Sequence, residues 1–589
     1  MKLGTLREKI TFLLILTLAI ALRVYGQNWD SGFHLHPDER MLIMVTTRIH
    51  FFTNLNPDFF NYGSLPIYIL ATLAQFFESV LKIPIFNYTG LLFLGRTLST
   101  IFDIFTLFVV FKIARFLFNK RTAFFALFVY AVAFFPIQNA HFFVVDSLLT
   151  FFLTATLYTS IMHNKKPSRR YLFLTALFFA AALATKITAL VVYPIVLISI
   201  LFQYDRKFFI TARAGAFVRM THKPFLIFHF SLFIFHFIFM PFAYIQFGRF
   251  LHDITLQSQM NSNAYIFPYT LQYVGTMPYV YYLKNIFLWG MGPVFSILAC
   301  FGCIQVLRTL CHSEEPRSCS TEREEKQSHK ITENERLLHT FMGTERIRND
   351  KIVRILFILF YVLYFLVLGR SAVKFMRYML PLYPFFAIFA GVALSYIYDS
   401  QLSMFNSKFS MRVVVWALCL VSFMSTLMFM HIYAQPNTRI QATQWIATHI
   451  PPRSTIALEH WDDQVPLGAP PGYYDFIQLP LYNQPDNDAK WQTINTMLKS
   501  ADYIVIASNR LYVPITHLVD CDKYAVCFPV ASKYYADLFS ERRGFIKVKE
   551  FSENPQLTIG SFKPHMNDQG ADESFTVYDH PKIQIFKKK

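Results

Sequence analysis

Charge is scarce in this 589-residue chain: Asp, Glu, Lys and Arg together make up 16%, against about 25% in ordinary soluble domains. Disorder, collagen and coiled coil are excluded by that composition. Cysteine is scarce as well, and seven in such a length do not build the framework of a disulfide-stapled secreted domain. Cys300 and Cys303 have metal or redox spacing but sit in an apolar run without partner ligands, and Cys521 and Cys527 could form one bridge outside the cytoplasm. The sequence contains no P-loop, no GxGxxG and no repeat of solenoid period. No small-x-small cleavage site follows the first apolar run; Leu22, Arg23, Val24 and Tyr25 do instead, which argues for a retained span over a signal peptide.

What is abundant is apolar. Residues of the AVILMFWYC set make up 54%, with 66 Phe, and apolar runs approach the roughly 20 residues that cross a bilayer as a helix. An α-helical polytopic membrane protein is expected, with eleven spans: the first from Ile10, then about 92–111, 122–138, 145–162, 171–185, 187–203, 224–246, 284–307, 352–369, 378–397 and 412–433. Arg23 is expected to reach up to the interface at the end of the first span. The net charge of +18 does not call for nucleic acid, because its clusters sit in short loops between spans. Lys112, Arg115, Lys120 and Arg121 form one, Lys165, Lys166, Arg169 and Arg170 another, and Arg206, Lys207, Arg213, Arg219 and Lys223 a third. The positive-inside rule then puts the N-terminus in the cytoplasm and the C-terminus outside a cell membrane.

Three stretches interrupt the pattern. Residues 27–91 form a first outer loop whose segment Leu65–Lys82, opened by Pro66 and carrying Glu78, is expected to lie on the membrane surface. Residues 308–351 read as a polar cytoplasmic connector, largely disordered or only transiently helical, without chemistry. From 434 to 589 the composition becomes that of an extracytoplasmic mixed α/β domain, with strands near Tyr503–Ala507, Phe545–Val548 and Ile583–Phe586 and a helix over Ile440–His449. Residues 1–433 are the transmembrane domain.

The chemistry-bearing residues collect in the outer loops. His34-Leu35-His36-Pro37-Asp38-Glu39-Arg40 packs two acids, two histidines and an arginine beside an apolar boundary. Its carboxylates suit a general base or a hard divalent cation, and a histidine nitrogen would favour zinc. The plainer alternative is an acidic loop opening a helix. A second loop holds His141 and leads to Asp146 and Ser147 at membrane depth, where a carboxylate is costly unless it faces a polar cavity or caps a helix. Lys374 and Arg377 lie on a third outer loop, against the charge rule, spaced for one helical face; they suit an anionic lipid phosphate, or simply snorkel to headgroups. Lys186, between two spans, and Arg96, seven residues before Asp103, are weaker versions, the second pair being expected as an intramembrane polar contact. The aromatic and amide side chains of Phe247–Tyr282 suit sugars but also an interfacial belt.

Taken in order, these motifs resemble the GT-C superfamily of integral-membrane glycosyltransferases, in particular the protein O-mannosyltransferases and the lipid A aminoarabinose transferases. The resemblance rests on the Asp38-Glu39 loop, Tyr62-Gly63-Ser64-Leu65-Pro66, Arg96, Asp146, the Thr185-Lys186 hinge and Arg377-Tyr378 with Pro381, and covers most of residues 1–400. It implies a polyprenyl-phosphate-linked sugar donor, an acceptor of unknown identity, and reaction at the outer face. On that basis Asp38 is the general base, Glu39 its neighbouring acid, and Asp146 an acid that binds acceptor or metal. Arg377 with Lys374 stabilises the departing phosphate, while Arg96, Lys186, His141 and Tyr62 serve substrate binding. A divalent cation (Mg, Mn or Zn) held by Asp38, Asp146 and His36 is left open; His36-Pro37 before the acids departs from the family pattern. The expected reaction is transfer of a monosaccharide with inversion by single displacement. A polyprenyl-linked oligosaccharyltransferase, and a transporter or flippase of lipid-linked substrates, are the alternatives. The C-terminal segment Phe575-Thr576-Val577-Tyr578-Asp579-His580-Pro581 resembles the ends of some members and is expected to add little to mechanism.

Overall fold

The computed structural model describes residues 4–201, 214–312, 333–558 apart from 401–410, and 560–589. Arg206, Lys207 and Arg213 of the third basic loop, and the middle of the connector (313–332), therefore lie outside the described residues; the connector's flanks are helical, in Pro293–His312 and Glu333–Leu368.

Six of the described helices are long and apolar enough to cross a membrane, or seven if the bent pair Lys120–Ala131 and Phe134–Ala140 is one span. That is fewer than the eleven expected. The difference lies in segments that are helical but short or charged. Leu6–Val24 (α1) carries Arg7, Glu8, Lys9 and Arg23 within 19 residues, Arg169–Leu183 has 15 residues, and Ile187–Leu201 and Lys223–Phe239 fall in the shorter apolar class. Arg23 does not reach the interface either. It is buried, donating from Nε to Asp103 at 2.5 Å and from its Nη atoms to the Ala131 and Tyr130 carbonyls. Asp103 is thereby taken, also accepting from the Tyr130 hydroxyl at 2.7 Å, and the expected Arg96–Asp103 contact is replaced by separate pairs.

Local signals set the elements around the first loop. Pro37 opens α2 (Pro37–Thr46), its missing N–H costing nothing in the first turn, with Asp38 and Glu39 at the helix's positive end. Helix α3 (Leu65–Ser79) also begins with Pro in its first turn. Asn87 caps α4 (Tyr88–Leu117) by accepting from Gly90 N–H, and its 30 residues reach about 45 Å at 1.5 Å each. The bent pair α5 (Lys120–Ala131) and α6 (Phe134–Ala140) turns by 57°, and α7 (Val145–Lys165) starts with Asp146 in its first turn. Helix Tyr383–Asp399 packs on both Pro293–His312 and α5.

The C-terminal domain has a five-stranded sheet in the order β2-β1-β3-β5-β4. Here β1 is Thr455–Glu459, β2 Asp475–Leu479, β3 Tyr503–Ile506, β4 Phe545–Phe551 and β5 Ile583–Lys588. β1 is parallel to both β2 and β3, whereas β5 runs antiparallel to β3 and β4. Cys521 and Cys527 are disulfide-bonded; Cys300 and Cys303 are free thiols.

The domain is tied to the membrane part by its end. Phe575, Val577 and Tyr578 join the buried apolar cluster of the transmembrane helices. Gln138 of α6 donates to the Phe575 carbonyl and to Asp579, and Tyr433 donates to the same carboxylate at 2.8 Å. His580 is buried between Asp579 and Asp568, at 2.5 and 2.8 Å. Burial opposes its charge, but the two carboxylates outweigh burial and push its pKa up to about 10.

Candidate active site

A cavity of about 460 Å³ opens where α2, the helix Phe247–Ser262, the loop before Tyr383–Asp399 and the C-terminal domain meet. Its wall includes Asp38, Tyr62, Arg377 and Tyr378 from the membrane part and Trp461, Arg510 and Tyr578 from the C-terminal domain.

Asp38 reaches it from the first turn of α2. One carboxylate oxygen meets Arg377 Nη1 at 2.5 Å, and the other accepts from the Tyr62 hydroxyl at 3.1 Å. Burial would raise its pKa, but the Arg377 guanidinium, aided by Tyr62 and Lys186, outweighs burial and holds the carboxyl below the usual range. Arg377 also faces Asp146, Nε to Oδ2 3.8 Å, and Lys186 Nζ donates to the other Asp146 oxygen at 2.7 Å. Lys186 is packed under the ring of Tyr378, 4.4 Å from its centroid. Asp38, Arg377, Asp146 and Lys186, far apart in sequence, thus form one chain of alternating charge. Two acids and two cations cancel, so the cluster can stay ionised away from bulk water.

Gly63 explains how Tyr62 and Lys186 come so close. The Gly63 and Leu65 amides donate to the Thr185 and Ala184 carbonyls, both at 3.0 Å. A Cβ on Gly63 would lie 1.9 Å from the Ala184 oxygen, so only glycine allows this approach.

Other expected site residues lie elsewhere. Glu39, next to Asp38 but about 100° round the helix, points away from the cavity and with Asp30 takes Arg96 in paired hydrogen bonds of 2.8–3.0 Å. It also accepts from Phe143 N–H at 2.9 Å; burial, its largest influence, raises its pKa despite the arginine. Arg96 therefore fastens α2 and the first loop to α4. His141 has both ring nitrogens on backbone carbonyls, those of Ile137 and Tyr25, and stacks on Tyr433 at 3.9 Å. Lys374 is buried with its ammonium on the Ala372 carbonyl.

His36 lies against Tyr578 at 4.0 Å with Nδ1 unpartnered, and burial lowers its pKa to about 3, leaving it neutral. Among the described residues no three His, Cys, Asp or Glu side chains converge as a metal site. Asp38 and Asp146, expected as ligands with His36, already face cations, and a divalent ion would have to displace both Arg377 and Lys186. The residues as arranged do not fit a metal, and no step below runs through one.

Sequence reasoning allowed the C-terminal domain to cover the site or guide the acceptor but named none of its residues as part of the site. Trp461, Arg510 and Tyr578 line the cavity, and Asp463 meets Arg40 of α2 at 3.4 Å. The only hint was compositional: a Trp flanked by acids in a turn, and an aromatic residue within the terminal segment.

Comparison with known proteins adds the following. Residues 85–237, which hold Arg96, Asp146 and Lys186, match the family model described as dolichyl-phosphate-mannose-protein mannosyltransferase. No curated protein matches. Among solved structures, the oligosaccharyltransferase AglB from Archaeoglobus fulgidus, in complex with an inhibitory peptide and a dolichol-phosphate, is 13% identical with a TM-score of 0.46, covering 95% of this chain and 74% of its own. ArnT from Cupriavidus metallidurans bound to undecaprenyl phosphate is 12% identical with a TM-score of 0.42, covering 86% and 94%. The S. cerevisiae protein O-mannosyltransferase complex bound to the sugar donor is 16% identical with a TM-score of 0.32, covering 42% and 35%. Its segment 85–237 is thus similar to the dolichyl-phosphate-mannose-protein mannosyltransferases.

Proposed function

We propose that this protein transfers a monosaccharide from a polyprenyl-phosphate donor to an acceptor hydroxyl at the outer face of a cell membrane. The observation that carries the reading is the Asp38–Arg377–Asp146–Lys186 chain at the wall of a cavity. It offers a carboxylate to take a proton and a guanidinium to receive a phosphate, side by side. The family match over 85–237 and the oligosaccharyltransferase, ArnT and O-mannosyltransferase likenesses are consistent with a lipid-linked donor.

In the resting site Asp38 is bound to Arg377 and is a weak base. An arriving donor phosphate competes for the guanidinium, which suits it bidentately. Asp38 then loses its strongest stabilising charge, and its proton affinity rises toward the range useful in general-base catalysis. It takes the acceptor hydroxyl proton as that oxygen bonds to the anomeric carbon. The bond from this carbon to the phosphate oxygen breaks, and polyprenyl phosphate departs with its charge on Arg377. One displacement inverts the anomeric centre. Lys186 donates to Asp146, and Asp146 in turn gives Arg377 a second anchor.

The test is to offer purified protein a panel of labelled polyprenyl-phosphate monosaccharides together with membrane extract as acceptor source. Release of label from one lipid, with an inverted linkage by NMR, is the expected result. If well-folded protein consumes no donor, the transferase reading is wrong.

A further inference from the structure

The parallel part of the C-terminal sheet has the order β2-β1-β3. From β1 the chain moves to one side for β2 and returns to the other for β3, so the crevice beyond the carboxyl ends of β1 and β3 is a topological switch point, where open α/β sheets bind ligands. Glu459 ends β1 and Ile506 ends β3. The residues that follow, Trp461 and Arg510, both line the cavity that holds Asp38. The ligand crevice of one domain and the candidate active site of the other are therefore one space.

The support around Trp461 is built. Asp462, immediately after it, is buried and takes Arg439 at 3.0 Å and the Ser508 hydroxyl. Arg510 donates to the Trp461 carbonyl at 3.3 Å and to Glu573 at 2.7 Å. The indole is nonetheless 44% exposed, on a backbone with φ of +78°, a region costly for a bulky residue and kept only where the surroundings impose it. Phe267 and Tyr269, also on the cavity wall, stack at 5.2 Å, nearly parallel.

From this geometry we infer that Trp461 is a specificity-determining platform for the acceptor, and that the acceptor is a carbohydrate. A pyranose presents an apolar C–H face to an aromatic plane and a rim of hydroxyls to polar neighbours, here the Arg510 guanidinium and the Gln257 and Asn261 amides on the cavity wall. The meaning of the subsite rests on the transferase reading, but sugar binding can be read without turnover.

Saturation-transfer NMR on the full-length protein in detergent, without donor, uses mannotriose, maltotriose, chitotriose and a short Ser/Thr peptide as probes. The expected result is saturation of the ring C–H protons of at least one trisaccharide, weakened at least about tenfold in Trp461→Ala and largely kept in Trp461→Phe. Trp461→Gln replaces the alanine variant if that one does not fold. Saturation of the peptide alone, of no probe, or of a trisaccharide equally in all variants would overturn the inference. Failure of donor turnover with sugar binding intact would count against the transferase reading only.

Discussion

Arg377 faces two carboxylates, and the two contacts differ: 2.5 Å to Asp38 but 3.8 Å to Asp146. The closer partner is the one whose proton affinity Arg377 controls. Replacing Arg377 with Gln removes the charge that lowers the Asp38 pKa, so the acidic limb of kcat/KM should move to higher pH while the rate falls. Arg377→Lys, keeping the charge without the bidentate geometry, should leave that limb nearly in place and lose mainly donor affinity. A pH–rate profile of the three proteins checks this. Arg96 makes the opposite prediction. It is fully buried between Asp30 and Glu39, and Arg96→Met would leave two buried carboxylates unpaired, costing about 3–5 kcal/mol. The loss should appear as a large drop in Tm in detergent, with no change in pH optimum for whatever protein stays folded. From sequence, Asp38 and Glu39 were two adjacent acids with one address. Their division into a cavity acid and a structural one depends on the helical phase of α2 and on where α4 places Arg96, and neither is written in the spacing of the loop.

At the scale of elements, the approach of Gly63 to the Ala184–Thr185 turn holds α3 against the link between α8 (Arg169–Leu183) and Ile187–Leu201. Gly63→Ala would force these strands of chain apart by more than an ångström. It should shift Lys186 off Asp146 and cut turnover strongly, while Ser64→Ala, whose hydroxyl has no hydrogen-bond partner, should be near neutral; parallel rate and Tm measurements separate the two. Long apolar helices such as α4 and α7 were legible because twenty apolar residues in a row have few other uses. Short helices beside broken ones were read as full spans, since hydropathy alone does not register the 57° bend after Ala131 or the 15-residue limit of Arg169–Leu183. Strand β1 escaped notice for a related reason. β1 is buried along nearly its whole length, so it lacks the alternation that marks a half-exposed strand.

Over the whole molecule, the last residues of the chain close the site that the first loop begins. Tyr578 lines the cavity and lies against His36, while His580, charged between Asp568 and Asp579, holds the segment down. Its folded pKa of about 10 is raised above the roughly 6.5 of an unfolded histidine. The stabilisation is therefore complete below about pH 6.5 and is lost as pH rises through 10. The Tm gap between wild type and His580→Gln should shrink steadily over that window; a constant gap would mean that His580 is not charged. This closure was invisible in sequence, because it joins residues more than 400 positions apart, such as Gln138 and Asp579, through contacts that no local pattern encodes. The most direct test of the catalytic assignment is Asp38→Asn, which removes the base while leaving an isosteric acceptor for Arg377 and Tyr62. If Asp38 takes the acceptor proton, this variant should bind polyprenyl phosphate at least as well as wild type and transfer sugar about 10²–10⁴ times more slowly. Transfer at the wild-type rate by Asp38→Asn would contradict the assignment.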